Sequence, residues 1–217
     1  MPAPVAISPD PSPRRRTQAQ RRSATREALL DATIESLVAD GYASTTIRGI
    51  AQRAGVTAGA AQHHFASKAE LVSQALRHLM AKVEQQLFAA EPPREGTTLE
   101  RIEQMLDRVW EVHAGTSFLA TLELWVAART DPELGKHLSE VQAEQTERNV
   151  AAFVKAYPDL VVHPDFFPQV VTQLAAMRGL ALLALVSGDD PQRWWPTTRA
   201  HMLRLAAELI EEREAAT

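Results

Sequence analysis

The chain contains no cysteine, which excludes disulfides and thiolate-held metals and fits a reducing interior. It has no long apolar run either. The most apolar stretch, Leu174 to Val186, is too short for a membrane span and is interrupted by Arg178. Arginines near the N-terminus are not followed by an apolar segment, so neither a secretory nor a twin-arginine signal is expected, and cytoplasmic residence is. Catalytic signatures are missing too. Of seven histidines only His63 and His64 are close in sequence, and adjacent helical residues point to different faces. There is no His-x-x-x-His or Glu-x-x-His pair, no glycine-rich phosphate loop and no nucleophile elbow. Ser117, Ser139 and Ser187 have no recognisable base beside them. No catalytic residue, metal ligand or cofactor is therefore expected, and a helical enzyme stays only as a remote alternative.

Hydrophobic residues make up 45% of the 217 and aromatics 6%, ordinary for a soluble helical protein. The net charge of −4 argues against a polyanionic partner, but its distribution reverses that reading. Residues 1–80 hold ten Lys/Arg against six Asp/Glu, so the acidic excess lies entirely in the remainder. A basic head on an acidic body suits a protein that touches a polyanion at one end only.

That head contains Thr46-Ile-Arg-Gly-Ile-Ala-Gln-Arg-Ala-Gly-Val-Thr-Ala-Gly-Ala-Ala-Gln-His-His-Phe-Ala-Ser-Lys68. Ile47, Ile50, Ala51 and Ala54 recur at helical spacing. Gly55 supplies a permissive helix end, Val56 can plug the corner, and Thr57 is a ready N-cap for a second helix. Two short helices joined through a glycine turn read as a helix-turn-helix, whose second helix enters the DNA major groove. Thr57, Ala58, Gly59 and Ala60 permit close approach to base edges, and Gln62, His63 and His64 can hydrogen-bond bases or phosphates. The plainer alternative is a helical hairpin inside an all-α protein.

Residues 1–20, with five prolines and Arg14-Arg15-Arg16, read as a disordered basic arm that follows phosphates or is simply solvated. A helix is expected over 22–40, stopped by Gly41, with Thr45 or Thr46 capping the next. After the helix-turn-helix domain (residues 21–66), a connector helix opens at Ser67 and runs to about Ala90. Glu91-Pro-Pro-Arg-Glu-Gly96 breaks the pattern. Helices then follow around Leu99–His113, Phe118–Thr130, Pro132–Ala156, from His163-Pro-Asp165 to Val186, and from Asp189-Asp-Pro191 to Arg213. The expected fold is all-α, about nine helices, with residues 67–217 forming a larger second domain. The last two helices are apolar around most of their circumference, so Leu174, Leu182, Leu183, Val186, Leu205 and Leu209 are expected to meet a second copy in a four-helix interface.

These residues resemble the TetR family of bacterial transcriptional regulators. The resemblance rests on Ala39-Asp-Gly-Tyr42, Thr45-Thr-Ile-Arg-Gly-Ile-Ala51, Ala54-Gly-Val56, Gly59-Ala-Ala-Gln-His-His-Phe65 and Ser67-Lys68, and more weakly on Leu122-Glu-Leu-Trp-Val-Ala-Ala-Arg129. It implies a homodimer binding double-stranded operator DNA through its N-terminal domain, and a C-terminal domain that binds a small-molecule effector. By that likeness Arg48 reaches a base or phosphate, Thr57, Ala58, Ala60 and His63 face bases, and Thr46, His64 and Lys68 hold phosphates. Gln62 stands where the family usually has tyrosine and Ala61 where it usually has a larger apolar residue. An effector pocket between the central helices would be walled by Leu106, Trp110, His113, Phe118, Leu122, Trp125, Phe153 and Met177, and would take a largely hydrophobic or aromatic molecule. The rival is an architectural DNA-binding dimer without an effector, which a fully packed C-terminal domain would favour.

Overall fold

The computed structural model describes residues 17–88 and 96–215. Among these it forms nine α-helices and one 3-10 turn, with no strand. The first helix, α1 (Gln18–Ser44), starts earlier than the expected Arg22. The reason is a capping box at Thr17: its hydroxyl accepts from Gln20 N at 3.2 Å, while the Gln20 side chain accepts from Thr17 N at 2.9 Å. Residues 18–20 thus belong to the helix rather than to the basic arm, whose residues 1–16 lie outside the described part. Gly41 does not end α1 but kinks it at φ 71°, after which Tyr42 to Ser44 continue the helix.

The next two helices are α2 (Ile47–Arg53) and α3 (Ala58–His64). The hydroxyls of Thr46 and Thr57 cap them by accepting from Gly49 N at 3.1 Å and Ala60 N at 3.2 Å. The connector α4 (Lys68–Phe88) follows, and residues 89–95, the end of the expected connector and the start of the proline break, lie outside the described residues.

The larger part comprises α5 (Thr98–Ala114), α6 (Thr116–Ala128), α7 (Pro132–Ala156), α8 (Phe166–Ser187) and α9 (Trp195–Ala215). Asp131 caps α7 through Leu134 N at 3.0 Å, and Pro132 occupies the first turn, where its missing N–H costs nothing. The Asp190-Pro191 lead-in forms a separate 3-10 turn, Pro191–Arg193, so the last helix begins only at Trp195.

One core joins α1, α2, α3 and the start of α4 through Leu29, Leu30, Ile50, Ala61, Phe65 and Leu71. A second joins α1 and α4 to α6 and α7 through Leu37, Val72, Leu76, Leu124, Leu134 and Val141. The connector therefore serves both: Leu71 and Ala75 face the head, Val72 and Leu76 face the body. The boundary expected between residues 66 and 67 runs through a shared helix surface.

Helix α8 needs a further correction. It starts at Phe166, where the His163-Pro-Asp165 lead-in puts it, but with 22 residues and an 18-residue stretch of mean hydropathy 1.7 it is long and apolar enough to cross a membrane by length and composition. The shorter run Leu174 to Val186 understates it, because Phe166, Phe167, Val170 and Val171 carry the apolarity back to the helix start.

Candidate nucleic-acid interface and ligand cavity

The helix-turn-helix is seated by its small residues. Gly55 adopts φ 69°, a left-handed backbone that closes the turn, and Ala61 is fully buried between α3 and the core. Phe65, 2% exposed, belongs to the same core cluster. The opposite face of α3 is open: Ala58, Gly59, Gln62 and His63 are exposed, as is the capping Thr57, while Ala60 and His64 are half-buried. A Cβ added at Gly59 would meet nothing within 4 Å, so the fold itself does not require glycine there. Thr46 and Arg48 are exposed beside this face.

His64 is held below the usual histidine range by partial burial and by the charges of Arg22, His63 and Arg26 around it. Arg26 also lies over the Phe65 ring at 5.8 Å. The result is a cationic margin along the N-terminal part of α1, next to the open face of α3. Lys68 behaves differently from expectation. Its ammonium turns inward, donating to Tyr42 O at 2.5 Å and lying 3.8 Å from the Tyr42 ring centroid. Burial lowers its pKa and Asp131 partly restores it. A phosphate contact by Lys68 would have to displace these bonds.

Tyr42 is the junction of head and body. Its hydroxyl donates to Asp131 Oδ2 at 2.8 Å, and its N–H to Glu123 Oε2 at 3.3 Å. Burial, then the bond to Asp131, drive the phenol pKa upward, so it stays protonated and donating. Ser67 Oγ donates to Glu133 Oε1 at 3.1 Å alongside. Sequence reasoning misses this cluster because Tyr42 stands 81 and 89 residues from its two acidic partners.

The body holds three adjoining spaces around Met105. One is a cleft of about 440 Å³ lined by Arg101, Arg108, Lys155 and Tyr157 among others. A second space of about 80 Å³ is lined by Leu106, Phe153, Leu174 and Met177 among others. A third of about 140 Å³ lies between α4, α5, α6, α7 and α8, lined by His113, Phe118, Trp125, Phe153 and Arg178 among others. Six of the eight expected wall residues thus line a space. Trp110 and Leu122 do not. Trp110 is 1% exposed, stacks on Trp195 at 4.9 Å and 9°, and donates to Gln192 Oε1 at 3.0 Å, so it is packed core. Leu122 packs against the same cluster.

The expected dimer face also divides. Leu182, Leu183, Val186 and Leu205 are exposed, at 42%, 66%, 79% and 42%. Leu209 is 3% exposed within the chain's own core, against Tyr157, Leu160 and Phe166, and Leu174 turns toward the cavities. The helical period puts these two on the inner side of their helices, which apolarity all round conceals. Val171, 66% exposed, joins the outer face, and a Cβ added at Gly179 would meet nothing within 4 Å.

Among the described residues one cluster has metal-ligand composition: His163, Asp165 and Glu212, with ligand atoms within 4.8 Å of one another. His163 Nδ1 accepts from Asp165 N at 3.2 Å and Nε2 faces Glu212 at 3.4 Å, so ordinary polar pairing accounts for it.

Residues 29–75 match the family model described as bacterial regulatory proteins, tetR family, and residues 93–212 match a tetracyclin repressor-like C-terminal domain. The chain belongs to the TetR family. It is 31% identical over 193 residues to an uncharacterized HTH-type transcriptional regulator of Mycobacterium tuberculosis, spanning 87% of this chain and 95% of that one. It is 36% identical over 126 residues to the HTH-type transcriptional regulator CymR of Pseudomonas putida, covering 57% of this chain and 60% of CymR. A solved transcriptional regulator from Rhodococcus sp. Rha1 superposes with a TM-score of 0.64 at 26% identity, covering 83% of this chain and 92% of that one. A TetR-family structure from Rhodococcus sp. shares the fold with a TM-score of 0.68 at 22% identity, over 86% and 98%. This TetR-family chain is accordingly a helix-turn-helix transcriptional regulator. Two residues that sequence reasoning passes over now stand out in it: Tyr42, named only within a family motif, and Arg178, noted only as an interruption of an apolar run.

Proposed function

We propose that this regulator is a cytoplasmic homodimeric repressor that binds a palindromic operator through α3 and is released by a small, largely apolar effector in the cavity of about 140 Å³. The observation that carries the DNA-reading surface is the two-sided build of α3. Its inner side is fixed by Ala61 and Phe65, while its outer side is small and open at Gly59. A glycine that the fold does not need is explained by a surface that must come close from outside. In this reading Ala58, Ala60, Gln62 and His63 face base edges, together with Thr57. Thr46, Arg48 and His64 hold phosphates, and the amide of Gln62 can pair with adenine. Lys68 takes a positioning part, fixing the end of α1 on α4 through Tyr42.

Pairing through α8 and α9 is supported by the exposed row Val171, Leu182, Leu183, Val186 and Leu205. A mid-helix Gly179, which costs about 1 kcal/mol relative to alanine, suits close helix approach by a partner. That partner also gives the apolar outer side of α8 a cover other than a membrane. The open cavity favours an effector-binding regulator over an architectural dimer.

Coupling follows the helices. The cavity is walled by Leu76 and Met80 of α4, Trp125 of α6, and Gln145 and Asn149 of α7. Those three helices each reach the Tyr42 cluster, through Lys68 at the start of α4, Glu123 within α6 and the α7 cap Asp131. A ligand that spreads them moves the head through those bonds, with an effect no larger than its preference for the moved state.

Selection of bound duplexes from a random pool tests the assignment of roles. Repeating it with His63→Ala shifts preference at particular positions, whereas Thr46→Ala weakens all duplexes alike, by up to about tenfold. Loss of selectivity on Thr46→Ala, with His63→Ala unchanged, contradicts it.

A further inference from the structure

Arg178 lies inside α8, on the wall of the cavity of about 140 Å³. Its Nε is buried without a hydrogen-bond partner, and its guanidinium forms no ion pair among the described residues. Its nearest aromatic company is Trp125, 5.0 Å away. The wall's one acidic residue, Glu84, faces Arg148 at 3.5 Å instead. The same wall offers Phe118, Trp125, Val109 and Phe153. Arg178 is half-buried, with its Nε wholly so, and a cation drawn out of water in this way is ordinarily paired.

We infer that the cavity is built for an anion carried on a single ring, a monocyclic carboxylate whose carboxyl group pairs with Arg178 and whose ring lies among Phe118 and Trp125. This rests on the effector reading and gives it a chemical class. A planar guanidinium offers two parallel N–H groups that match a carboxylate's two oxygens. The size follows from the volume: an apolar cavity of about 150 Å³ holds one benzene ring. Charge balance inside the wall agrees. Burial lowers the pKa of Arg178 with no charged partner to offset it. His113 is likewise held below the usual histidine range, by burial first and also by Arg178, so it brings no competing charge. Its Nδ1 is bonded to Val109 O at 2.8 Å. In the cleft of about 440 Å³, Arg101 and Arg108 also carry a buried Nε without a partner, but there the carboxylates Asp159 and Glu214 share the lining, so an anion meets opposing charge.

The test is calorimetry on the full-length dimer with benzoate, 4-methylbenzoate and cyclohexanecarboxylate, each beside its neutral amide. The carboxylates bind at least about tenfold tighter than the amides, the effect of one charge-assisted bond. Arg178→Lys keeps part of that preference, and Arg178→Met abolishes it while melting no lower than the native protein, because a half-buried charge without a counter-ion has been removed. Amides binding as well as carboxylates to the native protein overturns the inference. So does an Arg178→Met protein that keeps the preference, or one that melts well below the native chain, which makes Arg178 structural. Release of operator DNA by the amides alone overturns the anion while leaving the effector reading intact; operator that no bound ligand of either kind releases contradicts the effector reading itself.

Discussion

Two glycines in the head show how a single residue divides between folding and function. Gly55 carries φ 69° in the turn, where a side chain is strained whatever the space around it. Gly59 sits in helical backbone with open space beyond its Cα, so alanine is free to occupy it. Gly59→Ala should therefore leave the melting temperature unchanged or raise stability by up to about 1 kcal/mol, yet weaken DNA binding, as read by thermal denaturation and mobility shift on one preparation. A destabilised variant with full DNA affinity contradicts the reading. His64 supplies a pH dependence. Burial and the neighbouring cations keep its free-state pKa below 6.5, and a phosphate beside it raises that pKa in the complex. Affinity must then rise as pH falls through the window between the two values, and be flat above it. Titrating affinity between about pH 8 and 5.5 shows this slope, and His64→Gln removes most of it.

At the scale of elements, short-range signals are legible and long-range ones are not. Thr57 as a cap, Gly55 as a turn and Pro132 in a first turn are written in neighbouring residues, and the structure places each where local chemistry puts it. The kink at Gly41 is different. It brings the end of α1 beside Glu123 of α6, where a Cβ on Gly41 would stand 3.1 Å from Glu123 Oε2. Nothing near Gly41 in sequence announces that partner. The division of α8 and α9 into inner and outer sides is hidden for a related reason: Leu209 and Leu205 are alike in composition, and only the neighbouring helices decide which is covered. Trp110 is expected on a cavity wall and is found in packed core, because the sequence cannot tell an aromatic that lines a space from one that fills it, as Trp110 does against Trp195. The Tyr42 junction yields its own prediction. Lys68→Ala removes the bond that ties α1 to the connector, so operator affinity falls for every sequence alike while effector affinity changes little. A changed base preference, measured by competition among selected duplexes, would place Lys68 on the bases instead.

For the whole molecule, the basic first 80 residues and the acidic remainder describe one end built for a polyanion and another that keeps away from it. In the proposed homodimer the acidic part also brings two heads together, through the exposed row on α8 and α9. Under that proposed pairing, an apolar 22-residue helix in a regulator of this family has a partner to cover it. The row also separates two leucines that look equivalent. Leu183→Glu is expected to give folded monomers, whereas Leu209→Glu puts a charge into a closed core and costs roughly 3 kcal/mol or more, seen as unfolding. The most direct measurement is sedimentation of the full-length protein, native and Leu183→Glu, alone and on a duplex carrying the selected palindrome. The account predicts a native dimer that places two chains on each duplex, and a Leu183→Glu chain that sediments as a folded monomer with much weaker binding. A native protein that occupies the palindrome as a single chain, or a Leu183→Glu protein still paired, would contradict it.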